Sequence, residues 1–345
     1  MSNSCNISSD KNILNKLSCP SVDPVPEGTA RPFYSVMIPT YNPDLQFLEQ
    51  VLRSVLEQDS GPEEMQIEII DDCSEGFDLK EFLRRVGGER VLLHRQKHHT
   101  GIGGNWNTCI KRARGIWVHI LHQDDLLLSG FYNHLRKGIE MEPSVGAAFC
   151  RDYLIDSEGN RKFLRTPLRE PAGVLTSWLE HVFIGLSIRA SSLVVKRSVY
   201  EKLGGFNTKL YYALDWDMWK RIASCYPIWY ESRPLACYRQ HDASASSEFI
   251  RSGCHLAEIR QSIDISQSYL PNNIAADISR RARRNYMSYG LSITRQMLSR
   301  RDFVSAIAQV REIRKLSSNT LVNFMVWLTT RAVRGAMRYI ISKIS

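Results

Sequence analysis

No C-x-x-C pair occurs among the eight cysteines, at positions 5, 19, 73, 109, 150, 225, 237 and 254. Neither a zinc knuckle nor a thioredoxin-like dithiol therefore finds support. The cysteines form no spaced framework, which suits reduced thiols in a cytoplasm. The start, MSNSCNISSDKNILNKLSC, lacks the basic opening and apolar run of a signal peptide. No stretch approaches the ~18 consecutive apolar residues needed to span a bilayer. The longest, LVNFMVWL at 321–328, is far too short. No convincing internal repeat is present. With 43% hydrophobic and 23% charged residues, wholesale disorder and collagen-like architectures are also excluded. What is left is a globular chain of 345 residues, long enough for about two domains.

The charge is uneven. Of 45 Lys+Arg and 36 Asp+Glu, residues 280–345 hold 14 basic and 2 acidic. Residues 1–279 hold 31 basic and 34 acidic, so a near-neutral body carries a basic tail. In that tail Val333, Met337, Ile340, Ile341 and Ile344 share a helical face, while Arg331, Arg334 and Arg338 lie on another. An amphipathic basic helix suits an anionic membrane surface, or packing on its own hairpin with a solvated charged face. No nucleic-acid motif accompanies the charge, so nucleic acid is not expected as a partner.

Residues 1–31 end in SVDPVPEGTARP and are expected to be an unstructured leader. Strand and helix signals then alternate. Strands are expected at 34–39, 66–70, 91–94 and 116–121, with helices at 44–58, 78–86 and from the glycine-rich turn TGIGGN through 114. This pitch reads as βαβ units and a parallel sheet. Further strands at 146–155, 192–196 and 228–239 alternate with helices near 174–182, 197–203 and 215–225, continuing one mixed sheet. From about residue 246 the pattern is wholly helical, with spans at 278–299, 303–316 and 322–344.

Three strands end in polar groups: Pro39-Thr40-Tyr41-Asn42, Asp71-Asp72-Cys73-Ser74 and His122-Gln123-Asp124-Asp125. In an open α/β sheet ligands bind at the carboxyl ends of strands. Paired carboxylates there repel unless a cation sits between them, and Mg²⁺ or Mn²⁺ is usually held by such oxygen ligands together with phosphates. The plain alternative for each pair is a turn or a helix cap.

The segments VMIPTYN, IIDDCS, GIGGNWNTCIKRARGIWVHILHQDDLL and GGFNTKLYYALDWDMWKRIA, in that order over roughly residues 33–245, resemble glycosyltransferase family 2. The resemblance implies a GT-A fold, an α/β Rossmann-like mixed sheet flanked by helices, over 32–245. A basic helical C-terminal extension would follow over 246–345. It implies an inverting, metal-dependent glycosyltransferase using Mn²⁺ or Mg²⁺, a nucleotide-diphospho-sugar donor and a hydroxyl acceptor on a glycan or lipid-linked chain. Bacterial surface polysaccharide assembly, in the cytoplasm or peripherally on the inner face of the membrane, would be the setting.

Carried over by position, Pro39, Thr40, Tyr41 and Asn42 form the nucleotide loop, with Tyr41 placed to stack on the base. Asp71 or Asp72 accepts a hydrogen bond from the base. Asn105 lies on the donor side, Asp124 holds the ribose or a first metal contact, and Asp125 ligates the ion. His241 can reach the metal, or be a satisfied loop histidine. Arg239 contacts phosphate or pairs with a carboxylate. Asp215 is the general base; Leu214 stands where a glutamate is common. Asp217 is two residues on, so on a helix it points to another face and one of the two aspartates is structural.

Other signals weigh less. Gly101-Ile102-Gly103-Gly104-Asn105-Trp106 has Trp106 where a dinucleotide fingerprint needs a small residue, and follows the third strand. It reads better as a flexible loop and helix N-terminus facing the donor. His94, His98, His99, His119 and His122 match no metal template. The competing classes are a non-catalytic nucleotide-sugar or glycan-binding module, which Leu214 favours, and a nucleotidyltransferase. The latter needs a basic glycine-rich loop after the first strand, which PTYN is not.

Overall fold

The computed structural model describes residues 19–185, 188–241 and 245–317. They form two compact units, one running to Trp178 and resuming through His241, the other taking in 179–185 and 245–317.

In the first unit one sheet contains β1 (Tyr34–Thr40), β2 (Met65–Asp71), β3 (Leu92–Arg95), β4 (Trp117–Ile120) and β5 (Leu126–Leu127). It continues with β6 (Ala147–Ile155), β7 (Arg161–Leu164), β8 (Gly173–Val174), β9 (Leu193–Lys196) and β10 (Ile228–Arg239). The order is β3-β2-β1-β4-β9-β6-β10-β5, with β7 on β6 and β8 on β10. Strands β1 to β4 pair in parallel; β9 runs antiparallel between β4 and β6, and β10 is parallel to β6. Six strands thus point the same way, as the single mixed sheet expected from the sequence requires. Every residue of β1 and β2 is buried, as befits a parallel sheet covered on both faces.

The helices are α1 (Leu45–Leu56), α2 (Leu79–Gly87), α3 (Gly101–Arg112), α4 (Phe131–Met141), α5 (Trp178–Ile184), α6 (Arg197–Leu203) and α7 (Leu214–Ala223). From Leu179 onward α5 belongs to the second unit. Helix α1 shows the logic. Asp44 accepts from the Gln46 and Phe47 N–H groups at its start, and Leu48, Val51, Leu52 and Val55 recur on the buried face. They join β1, β2 and α4 in the core, around Val36, Ile38, Ile67 and Leu135.

Three expectations are corrected. Residues 19–31 carry no helix or strand, yet Cys19 and Val22 are buried and the Pro20 carbonyl accepts from the Gly205 N–H at 2.8 Å. The leader is fixed from residue 19 because buried backbone groups pair it to the domain; residues 1–18 lie outside the described residues. The glycine-rich stretch is no loop either, since helix α3 begins at Gly101 itself. Cys19, Cys73, Cys109, Cys150, Cys237 and Cys254 are free thiols, whereas Cys225 is disulfide-bonded, against the expectation of reduced thiols throughout.

The base of α7 is held by an ion pair wholly out of solvent. Arg221 Nε donates to Asp217 Oδ2 at 3.1 Å, and its two terminal nitrogens donate to the Leu203 and Gly205 carbonyls, each at 2.8 Å. At Gly205 a Cβ would lie 2.3 Å from Asn107 Oδ1, so only glycine allows this approach.

The second unit adds α8 (Ala245–Ser252), α9 (Cys254–Ser266), α10 (Asn272–Ser299) and α11 (Phe303–Leu316). Helices α10 and α11 are the hairpin expected from the sequence. Asp302 caps α11 by accepting from the Ser305 N–H, and Gly290 lets α10 approach Ile313 closely. No described helix is long and apolar enough to cross a membrane. The basic amphipathic helix of 322–344 lies outside the described residues.

Asp217→Ala strands the Arg221 charge without solvent, which costs about 3–5 kcal/mol. Glu49→Ala removes an exposed pair with Arg53 worth only about 0.3–0.5 kcal/mol. Urea unfolding of the two variants should show this order-of-magnitude contrast.

Candidate active site

The carboxyl ends of β1, β2, β4, β6 and β10 lie on one edge of the sheet, and the polar tips gather there. At its β1–β2 end Tyr41 and Asn42 are exposed, whereas Pro39 and Thr40 are buried in β1. Thr40 Oγ1 donates to Asp71 Oδ1, which also accepts from Ser74 Oγ at 2.5 Å, while Asp71 Oδ2 accepts from the Ser74 N–H. Asp72 caps α3 from outside. Its Oδ1 accepts from the Thr100 N–H and hydroxyl at 2.8 and 2.7 Å, and its Oδ2 from the Gly101 N–H at 2.9 Å. His99 Nδ1 lies 2.9 Å from the same oxygen, and its ring lies against Tyr41 with centroids 4.1 Å apart. Asp71 and Asp72 are both buried and engaged by protein donors, so neither lone-pair set faces open solvent. Asn105 is likewise a strut, donating to the Ile70 and Thr40 carbonyls and accepting from Gln96. Placed on the donor side by the sequence, it points into the joint between β1 and β2 instead.

At the β4 tip the two aspartates part company. Asp125 has no exposed surface: Oδ1 accepts from the Arg239 N–H at 2.8 Å and Oδ2 from the Ser191 hydroxyl at 2.5 Å. His122 Nδ1 stands 3.4 Å from that second oxygen. Asp124 keeps 23% of its side chain exposed, with Oδ2 2.9 Å from His241 Nε2. That contact holds the His241 pKa above the ordinary value. His122, Asp124 and Asp125 offer ligand atoms within 4.8 Å of one another, and the buried His122 Nε2 has no hydrogen-bond partner. Burial pushes the His122 pKa down, but the Asp125 contact and the charges of Asp125, Asp124 and Asp215 outweigh it and leave it raised. Arg239 differs from its expectation as a phosphate contact. Its Nε, Nη1 and Nη2 donate to the Asp124, Asp156 and Ser157 carbonyls and to Gln50, and its guanidinium covers the Phe47 ring. Nearly all its five donors are spent inside the protein.

On the far side Asp215 sits in the first turn of α7, half-buried, with Oδ1 accepting from the Trp216 N–H. Desolvation raises its pKa, opposed by that N–H and by the charges of Arg189 and His122. Asp217 is the structural partner of the pair, buried on Arg221. Leu214 is buried, with Cδ1 3.7 Å from where a Cβ on Gly103 would sit, so the missing glutamate is a packing contact.

Of the residues singled out in the sequence, Tyr41, Asn42, Asp124 and His241 stand on the carboxyl edge, and Asp215 faces His122 from the start of α7. His122, set aside in the sequence with four other histidines, stands beside them, and Ser191 and Arg189 border the same cluster. Only the position of His122 within HQDD hinted at it; the others stand on strands or turns with no motif of their own.

A family model described as "Glycosyl transferase family 2" matches residues 35–201. An uncharacterized protein of Mycobacterium tuberculosis is 30% identical over 226 residues, spanning 62% of this chain and 67% of that protein. Among solved structures, S. aureus TarS 1–349 in complex with UDP-GlcNAc superposes with a TM-score of 0.62 at 15% identity, covering 89% of this chain and 91% of that one. The mannosyltransferase PcManGT from Pyrobaculum calidifontis, in complex with GDP-Man and Mn²⁺, gives 0.52 at 18% identity, covering 87% and 92%. With the GT-A-like sheet and these matches together, the chain belongs to glycosyltransferase family 2.

Proposed function

We propose that this glycosyltransferase moves a sugar, with inversion, from a nucleotide-diphospho-sugar to a hydroxyl of a glycan or lipid-linked acceptor in bacterial surface polysaccharide assembly. The observation that carries the reading is a partly exposed acid–imidazole pair, Asp124 and His241, faced across His122 by a desolvated carboxylate, Asp215. UDP-GlcNAc on TarS and GDP-Man with Mn²⁺ on PcManGT support a nucleotide-sugar donor. An anionic membrane surface as a partner rests on the charge of the tail alone.

In this reading Tyr41 and the neighbouring His99 ring receive the base, while Asn42 and the β1–β2 joint shape the pocket floor. Asp124 and His241, with His122 beside them, would hold a divalent cation. The orphaned, buried Nε2 of His122 and the clustered oxygens fit such an ion, and imidazole participation favours Mn²⁺ over the oxygen-seeking Mg²⁺. When bound it neutralises charge developing on the departing diphosphate. Asp125, expected from the sequence as a ligand, belongs to the same cluster, while its two oxygens also accept from the Ser191 hydroxyl and the Arg239 N–H. Asp215 orients the acceptor hydroxyl and accepts its proton as the acceptor oxygen bonds to the anomeric carbon and the diphosphate leaves. A raised pKa makes it a better base than an ordinary carboxylate, at the cost of titrating nearer neutrality.

Asp215→Asn should lower the transfer rate by about a hundredfold to ten-thousandfold while leaving nucleotide binding intact. Because the folded pKa is raised, the folded state keeps its proton to higher pH than the unfolded chain. The ionised carboxylate therefore costs stability above that window, and Asp215→Asn should not lower Tm at pH 7. In the wild type, kcat/KM should fall in acid with an apparent pKa above that of a solvent-exposed aspartate. Retained turnover in the variant would overturn the base assignment.

Asp124→Ala and Asp125→Ala should separate the two roles. The first should abolish Mn²⁺-dependent UDP or GDP binding in calorimetry with little change in Tm. The second should depress Tm by several degrees, because it leaves the Ser191 hydroxyl and Arg239 N–H without their acceptor.

A further inference from the structure

Among the described residues of the first unit the buried arginines spend their donors on protein acceptors, whereas the half-buried Arg189 does not. Arg221 spends its donors on Asp217 and two carbonyls, Arg239 on three carbonyls and Gln50, and Arg197 on Ala113, Glu201 and Asp23. Arg189 donates to none of the described residues. Its Nε is buried without a partner, and its close contact is the face of Tyr238, 4.1 Å from the ring centroid.

Its position is nevertheless fixed. The Ile188 carbonyl accepts from Trp219 Nε1, the Arg189 carbonyl accepts from the Ser192 N–H and hydroxyl, and Ser191 is held by Asp125 and His119. A rigid turn thus presents an unsatisfied guanidinium. The charged groups around it are Asp152 and Asp215. Asp152 is already committed to Arg165 Nε, at 2.7 and 3.0 Å, and Asp215 Oδ1 to the Trp216 N–H. A buried guanidinium N–H left without an acceptor is costly unless a ligand completes it. The fork geometry of a guanidinium matches two oxygens of a phosphate or carboxylate.

We propose that Arg189 is an oxyanion-binding residue of the active site, taking the oxygens of a phosphate or carboxylate on a bound substrate beside the hydroxyl that Asp215 deprotonates. The location beside the hydroxyl rests on the Asp215 reading; the anion binding itself does not. The oxyanion belongs either to the donor diphosphate or to an acidic group on the acceptor. A purely structural Arg189 would instead serve as a countercharge to Asp152 and Asp215.

The test uses the full chain and calorimetric titration with inorganic phosphate, pyrophosphate, and UDP and GDP with Mn²⁺, on the wild type, Arg189→Gln and Arg189→Lys. Arg189→Gln should weaken phosphate and pyrophosphate binding at least tenfold, with Arg189→Lys between it and wild type. If nucleotide binding falls by the same factor, the oxyanion is the donor diphosphate; if nucleotide binding is unchanged, it is an acidic acceptor group. Equal anion and nucleotide binding in wild type and Arg189→Gln overturns the proposal, as does a wild type that binds no anion. Phosphate should also protect Arg189 of the wild type from phenylglyoxal, read by peptide mass spectrometry, and absence of protection overturns the proposal without any variant. Failure of the Asp215 reading appears separately, as turnover retained in Asp215→Asn.

Discussion

The Asp125 carboxylate is removed from solvent, and the arrangement of the whole carboxyl edge follows from how its two oxygens are satisfied. One takes the β10 backbone at Arg239, the other the Ser191 hydroxyl, with His122 alongside. Moving a carboxylate from water into a protein interior costs several kcal/mol, recovered only with good geometry and full hydrogen bonding. Each donor is therefore held to its place. Arg239 in turn grips the Asp124 carbonyl, and Asp124 reaches His241. Ser191 ties the turn carrying Arg189 to β4 through His119, whose burial lowers its pKa to about 3 and keeps it neutral between Tyr132 and the Ser191 carbonyl. One buried charge thus sets the positions of an exposed acid, an imidazole and a guanidinium on three separate segments.

This edge sorts its aspartates by what satisfies them. Asp71, Asp72, Asp125 and Asp217 are met by fixed donors or by a buried arginine, and they shape loops and helix starts. Asp124 and Asp215 retain exposure or an unmet oxygen, and these are the two to which chemistry is assigned. Paired acidic residues are common at strand ends because one member organises the backbone so that the other can be presented. A carboxylate that caps a helix or anchors a strand has little capacity left for a ligand, since its lone pairs are already directed inward.

The fold was legible because strand and helix periodicities differ and the sequence keeps them distinct: YSVMIPT reads as a buried strand and LQFLEQVLRSVL as a one-faced helix. The gathering of acidic tips followed from parallel topology alone. The division of labour within each doublet was not legible, because adjacent residues share composition and context and differ only in which donor the tertiary structure brings to them. Asp124 and Asp125 are indistinguishable in HQDD until β10 supplies its N–H to one of them. The same holds for Arg239 and Arg189. The first is beside a suggestive histidine and proves saturated, while the second has no motif and proves unsatisfied. The pinning of residues 19–31 was hidden for a related reason. Its acceptor at Pro20 and its partner at Gly205 are far apart in the chain, and a proline-rich composition describes local preference only.

Leu214 bears on the charge balance of the acceptor side. A glutamate at that position would bring a second carboxylate to the start of α7, into the buried site where Leu214 packs against Gly103. With Leu214, the carboxylates near Asp215 are those of Asp152 and the β4 tip, against Arg165, Arg189 and His122. Desolvation raises Asp215 while the nearby cations pull it back, so the carboxyl proposed as the base is poised by opposing effects rather than by a neighbouring acid. The absence of a glutamate at 214 is thus compatible with the proposed base role, since a lone carboxylate in a partly dry setting with Arg189 and His122 nearby can hold a proton weakly enough to return it and strongly enough to take it. A binding module would have no need of that balance, and a desolvated carboxylate facing a site without a proton to accept would be a stability cost with nothing to offset it.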